Sequence, residues 1–391
     1  MRTSRIHLLP NSQLGEDTWH SLLIAFLRGM AALQVAAAHL RNEFFPGLRL
    51  VENPTLWYQG LAFFTGFAHQ AVVLFFLISG WLVGGSLFNK LGQPDAIKLY
   101  AIDRVTRLWT VLLPTFMLVL ALGIVTGTLD PRSADFSPAN PYSVTALAGN
   151  LAGLQTVGVP QFGGNYPLWS LANETWYYIM FPLLLVSCST RRALPCAALL
   201  LIGVLLPFDM TLYFAIWLLG AGFSRVRIDC GWPARAALLL MLAPLSVYFR
   251  FYGSNDDAVV ASFAQDLLMS VIFLLFLSST VVRYDAGSRA VQAFRQGATF
   301  FSNFSFTLYV VHVPVILMLE WLGLHLLNRR QLAPDQLADL GIYFLMLAII
   351  VGFAYGFYRM FEAHTYQVRR WLRTQLLSDT VAAARTAPAK H

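Results

Sequence analysis

The chain has 391 residues, of which 57% are hydrophobic and only 12% are charged, and its mean hydropathy is +0.59. A soluble domain carries about 25% charged residues, so this composition excludes an ordinary soluble protein and indicates a chain that crosses a membrane several times. The net charge of +7 would suggest nucleic-acid binding in a soluble protein. Here membrane topology explains it, and we expect no nucleic-acid partner.

Ten segments are apolar and nearly long enough to cross a bilayer as helices, which needs about 20 residues each. The stretch 194–225 can be read as one broken helix or as two short spans that turn near Pro207, and two spans keep the later loops consistent in charge. We therefore predict an all-α polytopic bundle of about ten transmembrane helices with both termini cytoplasmic. The predicted spans are 20–42, 62–88, 108–127, 167–187, 194–208, 211–225, 235–250, 259–281, 302–325 and 338–360.

The basic residues support this orientation, because cytoplasmic loops carry an excess of Lys and Arg. We predict a cytoplasmic segment over residues 1–19 and a transmembrane domain over residues 20–365. Residues 366–391 are predicted to form a basic, partly disordered cytoplasmic tail. When embedded arginines are assigned to the nearer side, only six of the 27 basic residues lie outside: Arg41, Arg49, Arg132, Arg250, Arg329 and Arg330.

The first predicted span contains Arg28 and His39 in the sequence "LLIAFLRGMAALQVAAAHL". Charged or ionisable side chains are costly inside a bilayer, so their presence indicates a functional site. Eleven residues make about three helical turns, which places both side chains on one face about 16 Å apart along the axis. This spacing favours an elongated charged ligand.

Arg104 and Arg107 lie one turn apart where the third span begins on the cytoplasmic side. They could anchor the helix to lipid headgroups, or they could join Arg28 in a phosphate-binding site, for which guanidinium groups are well suited.

The long outer loop 128–166, rich in Pro and Gly, has the character of a lid or a binding element. After it, Glu174 enters the fourth span close to the predicted depth of His39. Its carboxylate either is satisfied by a neighbouring hydroxyl or Arg, or orients a catalytic histidine or binds an acceptor hydroxyl.

His312, near the middle of the ninth span, is either a hydrogen-bonded core residue or a second polar support for catalysis. Ser79 lacks the sequence context of a strained nucleophile turn, although a covalent role is an open alternative. Cys188, Cys196 and Cys230 show no metal-ligand spacing, and we predict no metal site.

Five segments in this order resemble the acyltransferase-3 family, whose members are membrane enzymes that O-acylate glycans and other small acceptors. "HQAVVLFF" and Thr110 depart from common family patterns, which leaves the subfamily and the acceptor open. The matching motifs are Arg28 with His39, Arg104 with Arg107, Trp169-Ser170-Leu171 with Glu174, and Leu308-Tyr309 with His312.

The resemblance implies acetyl-CoA or another short acyl-CoA as a co-substrate, with no permanently bound cofactor. It implies an O-acetyltransferase in a bacterial cytoplasmic (inner) membrane that acts on a hydroxyl of a cell-surface or lipid-linked saccharide, such as a polysaccharide or lipopolysaccharide. Arg28, Arg104 and Arg107 would bind the donor, and His39 would act as the general base. Glu174 would orient His39 or position the acceptor, with His312, Trp169, Ser170 and Tyr309 in support.

Three alternatives remain at this point. The acceptor could be a small secondary metabolite acylated from the cytoplasmic side. The acyl group could pass through His39 as a covalent intermediate, although direct transfer needs no nucleophile on the enzyme. The chain could instead be a transporter or flippase that uses its buried charges as a solute path.

Some family members carry a fused extracytoplasmic domain that relays the acyl group, and here we expect such a relay to need a separate partner.

Overall fold

The computed structural model describes residues 5–12, 14–15, 17–133, 141–190, 192–254 and 259–386. This part of the chain is mainly helical, which confirms the predicted all-α class. Its helices are α1 (Trp19–Phe44), α2 (Leu56–Phe64), α3 (Ala68–Ser79), α4 (Gly85–Lys90), α5 (Ala96–Val125), α6 (Val144–Leu151), α7 (Leu168–Thr190), α8 (Ala193–Leu205), α9 (Phe208–Phe223), α10 (Trp232–Tyr252), α11 (Val260–Ser279), α12 (Arg289–Asn303), α13 (Ser305–Leu327), α14 (Leu337–Met360) and α15 (Thr365–Thr386).

Within the described residues, seven helical stretches are long and apolar enough to cross a membrane. They begin at Trp19, Leu56, Ala96, Trp232, Val260, Ser305 and Leu337. The chain is thus an all-α multi-pass membrane protein, while the count of ten spans and the cytoplasmic termini stay predictions. The stretch 194–225 forms two helices, α8 and α9, of 13 and 16 residues, with the break before Pro207 as predicted.

α1 lies at the centre of the bundle, where it packs against α3, α12 and α13. Its Gly29 allows α12 to come close, because an added Cβ would lie 2.6 Å from the Cβ of Phe301. α8 and α10 lie at the periphery, since none of their described residues is buried. The central position of α1 places Arg28 and His39 inside the protein rather than toward lipid.

The helix that begins at Ala68 changes at Gly80–Gly84 into a π-helical turn, which packs against α9. π-Turns inside helices occur frequently at functional sites. A Cβ on Gly80 would lie 2.0 Å from the Trp217 carbonyl oxygen, and one on Gly220 would lie 2.2 Å from the Leu77 carbonyl oxygen. The glycines therefore allow the two backbones to touch.

The segments outside the predicted spans are more structured than expected. β1 (Arg5–Leu8) pairs antiparallel with β2 (Val226–Asp229), which ties the N-terminal segment to the end of α9. The predicted outer loop contains α6, which is held to the rest of the loop by the buried side chain of Asn150. α15 extends to Thr386, so a helix occupies most of the predicted partly disordered tail, and residues 387–391 lie outside the described residues.

Replacing Gly220 by Ala should destabilise the protein by about 1–3 kcal/mol, because the new methyl group would collide with a backbone carbonyl that cannot move independently. The measurement is the apparent Tm of the detergent-solubilised protein. Gly222→Ala is the matched control on the same helix, since a Cβ there meets nothing within 4 Å. Equal Tm values for the two variants would contradict the close crossing.

Candidate active site

A cavity of about 430 Å³ lies between α1, α3, α5, α7 and α13, and α15 contributes to one wall. We call it the arginine cavity, because its lining includes Arg28, Arg104, Arg107 and Arg369. The three arginines that sequence motifs predicted as neighbours therefore line one cavity, although they come from two helices. Glu174 is in the same lining.

Two of these arginines lack a close carboxylate partner. Among the described residues, neither Arg28 nor Arg104 forms a hydrogen bond or a close ion pair, although Arg28 interacts electrostatically with Glu362 and Glu174. The guanidinium of Arg104 lies 5.9 and 5.6 Å from the ring centroids of Tyr100 and Tyr178. The Nε of Arg104 is buried without a hydrogen-bond partner in this part of the chain. Buried charges are normally paired, so this arrangement favours an anionic ligand.

Arg107 is different, because it forms an ion pair with Glu362, a buried residue in the 3₁₀ turn Glu362–His364 between α14 and α15. The second carboxylate oxygen of Glu362 accepts hydrogen bonds from the backbone nitrogen of Thr307 at 3.2 Å and from its hydroxyl at 2.5 Å. Glu362 thereby holds Arg107 of α5 against the start of α13. The guanidinium also lies 5.0 Å from the ring centroid of Phe306.

Glu174 is satisfied by hydroxyl groups. Ser79 donates to its Oε1 at 2.5 Å, Tyr178 donates to the same oxygen, and Trp217 donates to the Ser79 hydroxyl at 3.2 Å. Glu174 makes no hydrogen bond with His39, so the hypothesis that it orients His39 is not supported by this geometry. Glu174 lies instead beside the arginines, where it accepts a hydrogen bond from Tyr178, the residue whose ring contacts Arg104.

The histidine partner of His39 is His312. The Nδ1 of His39 lies 2.8 Å from the Nε2 of His312, and the two rings stack with centroids 5.1 Å apart. His312 is fully buried, and its Nδ1 lies 3.1 Å from the carbonyl oxygen of Leu308. One hydrogen bond thus joins two residues that lie 273 positions apart in the sequence.

The contact with Leu308 assigns the tautomers of the two rings when both are neutral. A carbonyl oxygen can only accept, so the Nδ1 of His312 carries its proton and its Nε2 is an acceptor. The Nδ1 of His39 must then donate to that nitrogen. The Nε2 of His39 is left with its lone pair, which is what a general base requires.

Tyr309 connects the arginine cavity with the histidine pair. It lines the cavity, and its ring centroid is 5.9 Å from that of His312, one helical turn further along α13. Its hydroxyl shares a 2.6 Å hydrogen bond with Ser170, another lining residue, and donates to the Pro167 carbonyl at 3.1 Å. Trp169 does not line the cavity and packs edge-on against Phe76, 6.3 Å between centroids.

A second cavity, of about 270 Å³, lies at the opposite ends of α5 and α13. Pro314, two residues after His312, is part of its wall, so the histidine pair lies between the two cavities along α13. Trp321 lines it with an indole nitrogen that is buried without a hydrogen-bond partner among the described residues. Its other polar and aromatic lining includes Tyr142, Thr128, Glu320 and Arg330.

Three residues at the arginine cavity were not predicted from the sequence: Tyr178, Glu362 and Arg369. Tyr178 could have been found, because it lies one helical turn after Glu174 on the same face of α7. Glu362 and Arg369 follow the last predicted span and carry no local signal. No group of three or more His, Cys, Asp or Glu residues that could hold a metal occurs in the described ranges.

Comparison with known proteins identifies the family of the chain. The model of the acyltransferase-3 family, described as an acyltransferase domain, matches residues 23–359. No curated protein and no solved structure matches the chain. The family match spans the arginine pair, Glu174 and both histidines of the site, and it favours an acyltransferase over a transporter. Because the match covers most of the sequence, the chain belongs to the acyltransferase-3 family of membrane acyltransferases.

Proposed function

We propose that this acyltransferase moves an acetyl or other short acyl group from cytoplasmic acyl-CoA to a hydroxyl of a cell-surface or lipid-linked saccharide. The observation that carries the proposal is the arrangement around α13. A cavity with two arginines that form no close ion pair among the described residues is joined through Tyr309 to a histidine pair that leaves the Nε2 of His39 as a base.

The arginine cavity supports acyl-CoA as the donor. Coenzyme A carries a diphosphate and a phosphate monoester, and guanidinium groups bind phosphate oxygens through pairs of N–H donors. Arg28 and Arg104 form no close ion pair with any described carboxylate, so phosphate binding would satisfy their N–H donors. The pantetheine arm would then follow α1 toward His39, about 16 Å away along the helix axis. The donor is a co-substrate, and we propose no permanently bound cofactor.

In the reaction, the Nε2 of His39 removes the proton of the acceptor hydroxyl while the oxygen attacks the thioester carbonyl. An ester C–O bond forms and the C–S bond breaks. The proton then passes from His39 to the departing sulfur, so free CoA leaves as a thiol. His312 accepts the Nδ1–H hydrogen bond throughout and stabilises the imidazolium that forms on His39.

Glu174 takes a donor-side role in this scheme. It holds Tyr178 by a hydrogen bond, and Arg104 lies against the face of that tyrosine ring. We therefore assign Glu174 as a positioning residue for Arg104. Ser170 and Tyr309 would line the path of the pantetheine arm between the arginines and the histidine pair.

The second cavity supports a saccharide as the acceptor. Sugars present flat apolar faces together with many hydroxyls, and binding sites combine aromatic surfaces with a few polar groups. Trp321, Tyr142 and Glu320 offer that combination beyond the histidine pair from the arginine cavity. The predicted inner-membrane location would place this cavity toward the outside, where a separate extracytoplasmic partner could take the product onward.

Replacing His39 by Ala should lower the acyl-transfer rate by roughly a hundredfold or more, because the general base is lost. The measurement is release of free CoA from labelled acetyl-CoA in membranes supplied with a surface-glycan extract. His7→Ala is the control, since this histidine is 46% exposed on β1. Near-normal product from a correctly inserted His39→Ala variant would reject the mechanism.

The nature of the residue at position 312 should decide how much activity remains. His312→Gln keeps an acceptor for the Nδ1–H of His39 and should retain a measurable part of kcat, whereas His312→Leu removes the acceptor and should lose most of it. Both variants are assayed for kcat at saturating acetyl-CoA. Equal loss in the two variants would show that His312 only fills space.

Arg104→Ala should weaken the binding of acyl-CoA, with KM rising roughly tenfold to a hundredfold, which is the range for hydrogen bonds between charged groups. Arg289→Ala is the control, because Arg289 is exposed on α12 outside the cavity. If KM for acyl-CoA is the same in both variants, the arginine cavity is not the donor site.

A further inference from the structure

The part of the chain that follows the family match contributes to the arginine cavity. The match ends at residue 359, and α15 begins at Thr365. Arg369 of α15 nevertheless lines the cavity beside Arg104 and Arg107. The donor site therefore includes a wall that family motifs do not predict.

α15 is fixed in place by two sets of contacts at its start. The hydroxyl of Thr365 lies 2.9 Å from that of Thr110 on α5, and Glu362 just before it holds Arg107. α15 then packs along α5. These contacts set the position of Arg369 relative to the cavity, so its place in the lining does not depend on an exposed, loosely held tail.

Three cationic side chains surround the buried carboxylate of Asp103. Lys90 lies 2.7 Å from its Oδ2, Arg373 lies 2.5 Å from its Oδ1, and Arg369 lies 3.5 Å from the same Oδ1. One negative charge thus faces three positive charges, which leaves an excess of two. The two shorter contacts satisfy Asp103, and the residues that make them are not in the cavity lining.

Arg369 is the member of this group that is left for a ligand. Its contacts with described residues, to Asp103 and to the Thr106 hydroxyl at 3.5 Å, both use Nε. Both are at the long limit for hydrogen bonds, so they orient the side chain more than they neutralise it. The two Nη nitrogens, which form the fork that binds phosphate, make no hydrogen bond with the described part of the chain.

We infer that Arg369 binds a phosphate of the nucleotide end of acyl-CoA, and that α15 forms one wall of the donor site. The inference rests on the proposed function and adds a fourth cation to Arg28, Arg104 and Arg107. Asp103 is a positioning residue, because it acts on the ligand only through Arg369.

The test compares Arg369→Ala with Arg370→Ala in the full-length protein in nanodiscs of neutral lipid. Arg370 is the adjacent residue and is exposed outside the cavity. Isothermal titration with CoA should give a Kd about tenfold higher for Arg369→Ala than for wild type, and an unchanged Kd for Arg370→Ala. Arg369→Lys, which keeps the charge but loses the fork, should fall between them.

A second substrate separates phosphate binding from a structural effect. S-acetyl-pantetheine lacks the nucleotide, so its kcat/KM should be equal in wild type and Arg369→Ala, while kcat/KM for acetyl-CoA falls. An equal fall with both substrates, or a Kd for CoA equal to that of wild type, would overturn the inference. The inference would also be overturned if Arg369→Ala weakened CoA binding only in nanodiscs that contain phosphatidylglycerol. That result would identify a lipid headgroup as the ligand of Arg369.

The outcomes also distinguish this inference from the proposed function. If wild-type protein does not bind CoA or release it from acetyl-CoA, the proposed function itself is wrong. If wild type binds CoA and Arg369→Ala binds it equally well, only the assignment of Arg369 fails.

Discussion

Positive charge inside an apolar bundle needs negative charge or a polar ligand close to it. This requirement determines which residues contact each other at the end of the protein that we predict to be cytoplasmic. Arg107 is paired with Glu362, whereas Lys90 and Arg373 share the single carboxylate of Asp103. Arg28 and Arg104 form no close ion pair within the described chain. Because a charge without a close partner is costly in a medium of low dielectric constant, an anionic ligand in the cavity would stabilise these two arginines. The excess of positive charge in the arginine cavity costs stability, and it also allows the cavity to bind an anion.

The helices separate this charge from the histidine pair. Three turns of α1 lie between Arg28 and His39, and on α13 the lining residue Tyr309 precedes His312 by one turn. The histidine pair therefore lies beyond the arginine cavity and before the second cavity, whose wall includes Pro314. A rigid central helix is a suitable support for this arrangement, because residues on a helix keep their separation.

Several parts of the site could be predicted locally. Arg28 and His39 stand out because ionisable residues in an apolar helix are rare, and the Arg104–Arg107 spacing places both on one helix face. The partners of these residues could not be predicted in the same way. Glu174 was expected near His39 from its depth in the fourth span, but it bonds to Ser79 and Tyr178 in the arginine cavity. Depth along a helix does not say which neighbour the side chain faces.

The sequence by itself determined the membrane class, the helical segments and the residues that carry charge into the bundle, because hydropathy and helical spacing act over short stretches of chain. Only the tertiary structure decided that His312 is the partner of His39, that Glu362 holds Arg107, and that Arg369 reaches the cavity. These contacts join residues up to 273 positions apart. They depend on how α1, α5, α13 and α15 pack, and packing is set by shape complementarity summed over many side chains rather than by any local pattern.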